Sequence, residues 1–288
     1  EHESYQLLRR RGVPLERLDG GSIARRYPAF ARSVFVDGYH NARAGWVESG
    51  RAIALLAERV RAQGVEIVEG ERATELVERA GRVTGLRAAS GKCFSGELVL
   101  VAAGAWTPRL LPHMESILRP VAQPVFHFQV EDLATYQPPY LSVFGADLAR
   151  YGWYGFPALD DGRLKIGHHG RGHALDPLLP RALPAGEEQR FRAFLQRVLP
   201  GAARAPVVGS RLCFYCDTAD GDFWIDHDPG HPGLVVAAGG SGHAFKFLPV
   251  LGPIVADVVE GVPNAVAERF RWRRPTPGRR EAARAREG

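Results

Sequence analysis

Of the 37 basic side chains in this sequence, only Lys92, Lys165 and Lys246 are lysines; the other 34 are arginines. A guanidinium can serve almost any solvated positive charge, whereas an ammonium is a compact, rotatable point charge whose pKa shifts on burial. Lys92, in the turn ASGKCF, has a surface explanation. Lys165, in GRLKIGHHG, alternates with apolar neighbours on a predicted strand, where the plain reading is an edge lysine facing water. Lys246 ends the turn AAGGSGHAFKF, residues 237–247, set between two apolar runs. Glycines between a strand and a helix let backbone N–H groups approach a ligand, and the helix start favours an anion. A purely structural turn is the competing reading. A G-x-S-x-G nucleophile elbow fails at its fifth position, where His243 stands, which argues against a serine hydrolase.

Cys213 and Cys216 form a C-x-x-C pair, the spacing of a redox dithiol or of half a zinc site. Zinc requires further ligands; Cys93 alone cannot supply a second pair, and His168, His169 and His173 of GHHGRGH are the remaining candidates. No metal centre is expected. As a dithiol the motif is predicted at a strand end, not at a helix start where a thiolate is stabilised, so both cysteines also read as small buried hydrophobes. Tyr154 and Tyr215 fall on predicted strands near Lys165 and Cys213, where core packing is the plain alternative.

The formal charge of +5 is concentrated in the last segment, ERFRWRRPTPGRREAARAREG. A solvated, frayed tail explains it without a nucleic-acid partner. No apolar run reaches the length of a membrane span and no signal-peptide pattern opens the sequence, so a cytoplasmic protein with no membrane partner is expected. Three cysteines are too few for a secreted disulfide framework. The only methionine is Met114 and the chain opens EHESYQ, from which an upstream segment is expected.

These residues must be held by an α/β layer. Residues 49–63 have helical apolar spacing and a stop at Gly64, and VEIVEG reads as a strand. Two short strands surround Gly81 and Gly85, and the run ELVLVAAG predicts a strand buried on both faces, followed by a short helix near Thr107 and Pro108. GLVVAAGG repeats the buried strand, SGH the turn, and LPVLGPIVADVVEG a helix closed by Gly261. Ligands in such layers lie beyond the carboxyl ends of the strands. Residues 120–213 are alternating and aromatic-rich, predicting an antiparallel sheet interrupted by one helix around EEQRFRAFLQRVL. The expected fold class is mixed α/β (α+β). Its expected parts are a Rossmann-like α/β domain (48–119 and 214–262), an antiparallel-sheet domain (1–47 and 120–213) and a basic tail (263–288).

Together, CFYCDTADGDFWIDHDP with GLVVAAGGSGHAFKFLPVLG, ELVLVAAGAWTPRLLP, and WYGFPALDDGRLKIGHHG resemble the sarcosine oxidase-like members of the D-amino-acid oxidase superfamily of flavoenzymes. The phrasing is also similar to fructosyl amino acid and saccharopine oxidases. The resemblance implies an FAD enzyme that oxidises the C–N bond of a secondary amine or N-alkyl amino acid, with dioxygen as acceptor and hydrogen peroxide as product. It implies that Cys213 is the residue that tethers the flavin in some members, that Lys165 promotes the reaction with dioxygen, and that Lys246 binds a substrate carboxylate. Tyr154, Tyr215 and His169 would line the substrate cavity, while Ala103, Gly104, Trp106, Gly240, Gly242 and His243 would form the flavin bed. The family's G-x-G-x-x-G unit for the FAD diphosphate does not occur in this sequence. The alternatives are a dehydrogenase using another acceptor and a noncatalytic or partner-completed fragment without FAD.

Overall fold

The computed structural model describes residues 1–274; the end of the basic tail lies outside the described residues. The first segment contains α1 (His2–Arg10), β1 (Glu16–Asp19), α2 (Gly20–Arg26) and β2 (Asp37–His40), with β1 and β2 antiparallel. Asp19 starts α2 by accepting a hydrogen bond from Ser22 N–H at 2.7 Å, satisfying one of the donors that a helix start leaves open.

A helix forms where the spacing predicts, as α3 (Ser49–Ala62), but no strand forms over VEIVEG. Val65 and Val68 are exposed, and no strand among the described residues pairs with this segment, so its backbone groups join no ladder. β3 (Ala73–Arg79), β4 (Arg82–Ala88) and β5 (Cys93–Ser95) form a meander. Ala80 and Gly81 both have positive φ, the twist that suits a tight hairpin. The ELVLVAAG run gives only the three-residue β6 (Val99–Val101), and its central Leu100 is exposed. Burial on both faces, expected from the apolar run, therefore fails on one face, where nothing among the described residues covers it. α4 (Thr107–Leu110) follows with a proline in its first turn.

The middle of the chain builds β7 (Arg119–Gln129), α5 (Leu133–Tyr136), β8 (Phe144–Ala146), β9 (Trp153–Phe156), β10 (Arg163–His168), α6 (Glu187–Val198) and β11 (Val207–Asp217). Their strands make the expected antiparallel sheet, in the order β11-β7-β10-β9-β8. Phe191, Phe194, Leu195 and Val198 recur at helical spacing on α6 and are buried, so this face of the helix seals one face of the sheet. Phe191 lies 4.6 Å from Phe126 and Phe194 stacks 4.3 Å from Trp153, ring centre to ring centre. Leu18, Ile23, Tyr27 and Phe30 from the first segment join the same core.

β12 (Trp224–His227) and β13 (Leu234–Ala238) follow, β13 pairing antiparallel with β12 and parallel with β6. α7 (Leu248–Glu260) ends at Gly261, which has φ +70°. The fold is thus mixed α/β with a small parallel pair beside a large antiparallel sheet. The segment after α7 is not frayed as expected over its described part. Ala267 and Phe270 are buried with Phe223, Ile225 and Ile254, and Arg273 forks onto Asp220 at 2.8 and 2.9 Å while lying 4.3 Å over the Trp224 ring. Charge counting hid these apolar anchors. The same guanidinium holds the Asp220 carboxyl down to about 2.

His168 closes β10 inside the core, its Nε2–H donating to the Tyr151 carbonyl at 2.8 Å, and burial pushes its pKa from 6.5 down to about 4. The unfolded chain therefore takes up this proton first as pH falls. The associated stability is complete above 6.5 and is lost between 6.5 and about 4, a change on the order of 3 kcal/mol. Urea unfolding at about pH 7.5 and about pH 4.5 should show this acid limb in the wild type and a flatter one in His168→Gln, which retains a donor. Equal limbs in the two proteins would contradict the assignment.

Candidate active site

Successive strand residues face opposite sides, so directly paired residues on adjacent strands share a face. Lys165 is paired with His127 on one side and Phe156 on the other, and Gly167 with Val125 and Tyr154. On β11, Arg211 is opposite Val125, Cys213 opposite Gln123 and Tyr215 opposite Val121. This register puts Lys165, Tyr154, Cys213, Tyr215, Arg211, Gln123 and His127 on one face of the five-stranded sheet, the face away from α6. Arg211, Gln123 and His127 escaped notice in the sequence; only their period-two spacing marks them, and only once the register is known.

Lys165 lies on an inner strand, so the edge-lysine reading fails. Burial is the main cause lowering its pKa from 10.5; nearby Cys213 opposes the shift and Arg211 reinforces it. Its ammonium lies 4.6 Å from the centre of the Phe156 ring. Burial raises the Tyr154 pKa, and its hydroxyl shares a hydrogen bond with Tyr215. Gly167 permits this: a Cβ there would lie 2.3 Å from the Tyr154 ring. His169 leaves β10 with its N–H on the Gly152 carbonyl at 2.7 Å and its ring 5.7 Å from that of Tyr215. Cys213 is within β11, not at its end, and Cys216, three residues on, faces the opposite side. There burial raises the Cys216 thiol to about 11. The C-x-x-C pair therefore forms neither a disulfide nor one side of a metal site.

The glycine turn closes this face at one end. Gly239, Ser241 and Gly242 have φ of +74°, +45° and +76°. Buried Ser241 donates its N–H to the Cys216 carbonyl at 2.9 Å, and its Oγ accepts from Thr218 N–H at 3.2 Å. The turn is thereby fixed to the end of β11, with Gly242 against Tyr215: a Cβ at 242 would lie 2.4 Å from the tyrosine ring. His243 Nε2 lies 3.1 Å from the Gly221 carbonyl. Val236 pairs with Val101, so Ala103 and Gly104 leave β6 beside the start of this turn.

Two expected site residues contact rings outside this cluster. Trp106 lies 5.9 Å from Phe214, ring to ring, and Arg181 stacks on both. Phe214 projects from the face of β11 opposite Cys213, so Trp106 is on that side too. Lys246 is exposed on the 3-10 turn Ala244–Phe247, its ammonium 5.4 Å from the Phe247 ring.

The site has unused polar capacity of the kind a flavin ring would take up. Among the described residues the N–H groups of Gly240 and Gly242 donate to no protein acceptor. Gln123, opposite Cys213, is fully buried with Oε1 unpartnered. Backbone donors suit the electron-rich edge of a reduced flavin, and a desolvated ammonium suits charge developing near its face.

The chain belongs to the FAD dependent oxidoreductase (DAO) family, whose profile matches residues 2–258. It is 30% identical over 250 residues to an N-methyl-L-tryptophan oxidase of Salmonella newport, covering 86% of this chain and 65% of the relative. It is 26% identical over 261 residues to a monomeric sarcosine oxidase of a Bacillus species, covering 89% and 66%. The crystal structure of fructosyl amine: oxygen oxidoreductase (Amadoriase I) from Aspergillus fumigatus matches with a TM-score of 0.83 and 28% identity, over 96% of this chain and 68% of that one. The chain thus spans about 65% of the length of these first two relatives. No helix among the described residues is long and apolar enough to cross a membrane.

The turn can be tested by two alanines. Gly261→Ala, where a Cβ meets nothing within 4 Å, should cost only the left-handed backbone penalty, about 1–2 kcal/mol. Gly242→Ala adds the collision with Tyr215 and should lower the thermal midpoint further. Equal losses would mean that Tyr215 does not hold the turn.

Proposed function

We propose that this chain is the larger part of a flavoenzyme that oxidises the C–N bond of a secondary amine or N-alkyl amino acid, with dioxygen as acceptor and hydrogen peroxide as product. The observation carrying this reading is the convergence of Lys165, Tyr154, Cys213 and Tyr215 on one sheet face closed by the glycine turn. FAD, when bound, would supply the acceptor for the electron pair leaving the substrate C–H bond. The chain's own residues bind and orient. Gly240 and Gly242 N–H groups would face the ring's electron-rich edge. Tyr154, Tyr215 and His169 would shape the substrate cavity, and Lys246 would bind a substrate carboxylate. Cys213, on the site face, is the proposed tether.

Lys165 has the most specific role. Reduction of dioxygen develops negative charge, and an ammonium held in a poorly solvated place stabilises it at no reorganisation cost. The relatives' names support N-methyl amino acids and fructosyl amines as the first substrates to try. We divide the chain into FAD-binding parts (48–119 and 214–262) and a substrate-binding part (1–47 and 120–213). A unit carrying the diphosphate-binding loop would pack on the uncovered apolar side chains of α3, where Ile53, Leu55 and Leu56 are 48–57% exposed. The three free thiols agree with a reducing, cytoplasmic setting.

Peroxide release under air with sarcosine, N-methyltryptophan and a fructosyl amino acid tests the reaction. Lys165→Met should lower the oxygen step by about 10²- to 10³-fold while anaerobic bleaching of flavin absorbance by substrate persists. An unchanged oxygen step would refute the role. The oxygen step should also fall at alkaline pH with a midpoint below the ordinary lysine value of 10.5, a limb missing from Lys165→Met. After acid denaturation, flavin fluorescence should migrate with the wild-type polypeptide and not with Cys213→Ala; its persistence in the variant would place the tether elsewhere. Protein that purifies colourless and takes up no FAD would favour the noncatalytic reading.

A further inference from the structure

At the opposite end of β13 from the glycine turn, three side chains from two distant segments meet. His113 stands on the 3-10 turn Pro112–Met114, which buried Met114 anchors. Asp228 and His231 stand in the connection between β12 and β13. That connection is held by Asp228 N–H on the Leu234 carbonyl at 2.9 Å, by Leu234 N–H on the His231 carbonyl at 3.0 Å, and by Asp228 Oδ1 accepting from Gly230 N–H at 2.8 Å. The Asp228 side chain is 2% exposed, while those of His113 and His231 are 34% and 31% exposed.

Asp228 Oδ2 lies 2.6 Å from His113 Nε2, and Oδ1 lies 3.1 Å from His231 Nδ1. The second contact is short but misaligned: His231 Nδ1 is buried and makes no hydrogen bond. A buried polar nitrogen without a partner costs about 1–3 kcal/mol. The two imidazoles stack with centres 4.4 Å apart and planes at 27°, so their edges meet the carboxylate side by side. One ligand atom from each of the three residues falls within 4.8 Å of the others. Two ligands about 2.1 Å from one ion stand no more than about 4.2 Å apart, so closing the set needs less than one bond length of movement.

We propose that His113, Asp228 and His231 bind a divalent transition-metal ion. Two imidazoles and one carboxylate form a nitrogen-rich set that suits Zn²⁺, Ni²⁺, Co²⁺ or Cu²⁺ over the all-oxygen preference of Ca²⁺ and Mg²⁺. The partly exposed imidazole edges leave room for water to complete the coordination. Binding gives His231 Nδ1 a partner and ties residue 113 to residue 231 beneath the β6–β13 pair. From the sequence, only the cysteines with His168, His169 and His173 were weighed as ligands; this set shares no residue with them and lies apart from the proposed flavin face. It does not depend on the oxidase reading.

Calorimetric titration of the chelator-treated full chain with Zn²⁺ should show one saturable site of micromolar or tighter affinity. His231→Gln and His113→Ala should each weaken it at least about tenfold, while Cys93→Ser leaves it unchanged. Loss of binding in Cys93→Ser, retention in both histidine variants, or no saturable uptake would overturn the proposal. Zinc-edge X-ray absorption of the wild type needs no variant to fold: two imidazoles without sulfur are expected, and sulfur ligation would contradict the site.

Discussion

The hydrogen bond from Ser241 N–H to the Cys216 carbonyl ties the turn that follows β13 to the end of β11, and so links the β12-β13-β6 sheet to the five-stranded sheet. Together with the Thr218 N–H bond to Ser241 Oγ, it holds the glycine turn over the functional face. Ser241 accepts a left-handed backbone, costly for a residue with a Cβ, and gains two buried hydrogen bonds at the end of β11. Strain of this kind persists where surrounding contacts over-determine it, and it clusters at functional sites. Gly242 then presses against Tyr215, Tyr215 against Tyr154, and Tyr154 lies over Gly167, one register position from Lys165.

That chain of contacts explains why ammonium and guanidinium are not interchangeable at position 165. Burial lowers the lysine pKa, so this ammonium gives up its proton more readily than a solvated one. A guanidinium would stay charged and would present a wide planar fork to the aromatic ring of Phe156. The nearby Arg211 supplies that second, permanent charge at the rim of the same face, where it is exposed.

Much of this was legible in the sequence, and the failures have physical causes. The antiparallel sheet, α3, α6, α7 and the β13 strand follow from periodicity and punctuation; α6 and β13 bury their apolar residues, whereas α3 forms with its apolar side chains uncovered. VEIVEG forms no strand because a strand needs a paired neighbour, which an apolar pattern does not reveal; ELVLVAAG forms its strand beside β13, but Leu100 leaves one face uncovered. The packed start of the tail was hidden by its arginines: Phe270 and Trp272 are two aromatics among many charges, and Arg273 is bound to Asp220 about fifty positions away. Lys165 and Cys213 were identified individually, yet their common face depends on the β7 register, which no single segment encodes. Trp106 and Lys246 sit within motifs that suggested a shared site, but their side chains turn toward Phe214 and Phe247. The His113–Asp228–His231 cluster does not show in the sequence because His113 lies more than a hundred residues from the other two.

The proposed site holds a flavin ring between the Lys165 face and the 240–242 turn. A crystal structure of the protein with FAD bound is the most direct test. The isoalloxazine should lie with its pyrimidine edge against the N–H groups of Gly240 and Gly242 and Lys165 within one water of its face. A ring located on the α6 side of the sheet, or away from both Lys165 and the turn, would contradict the account.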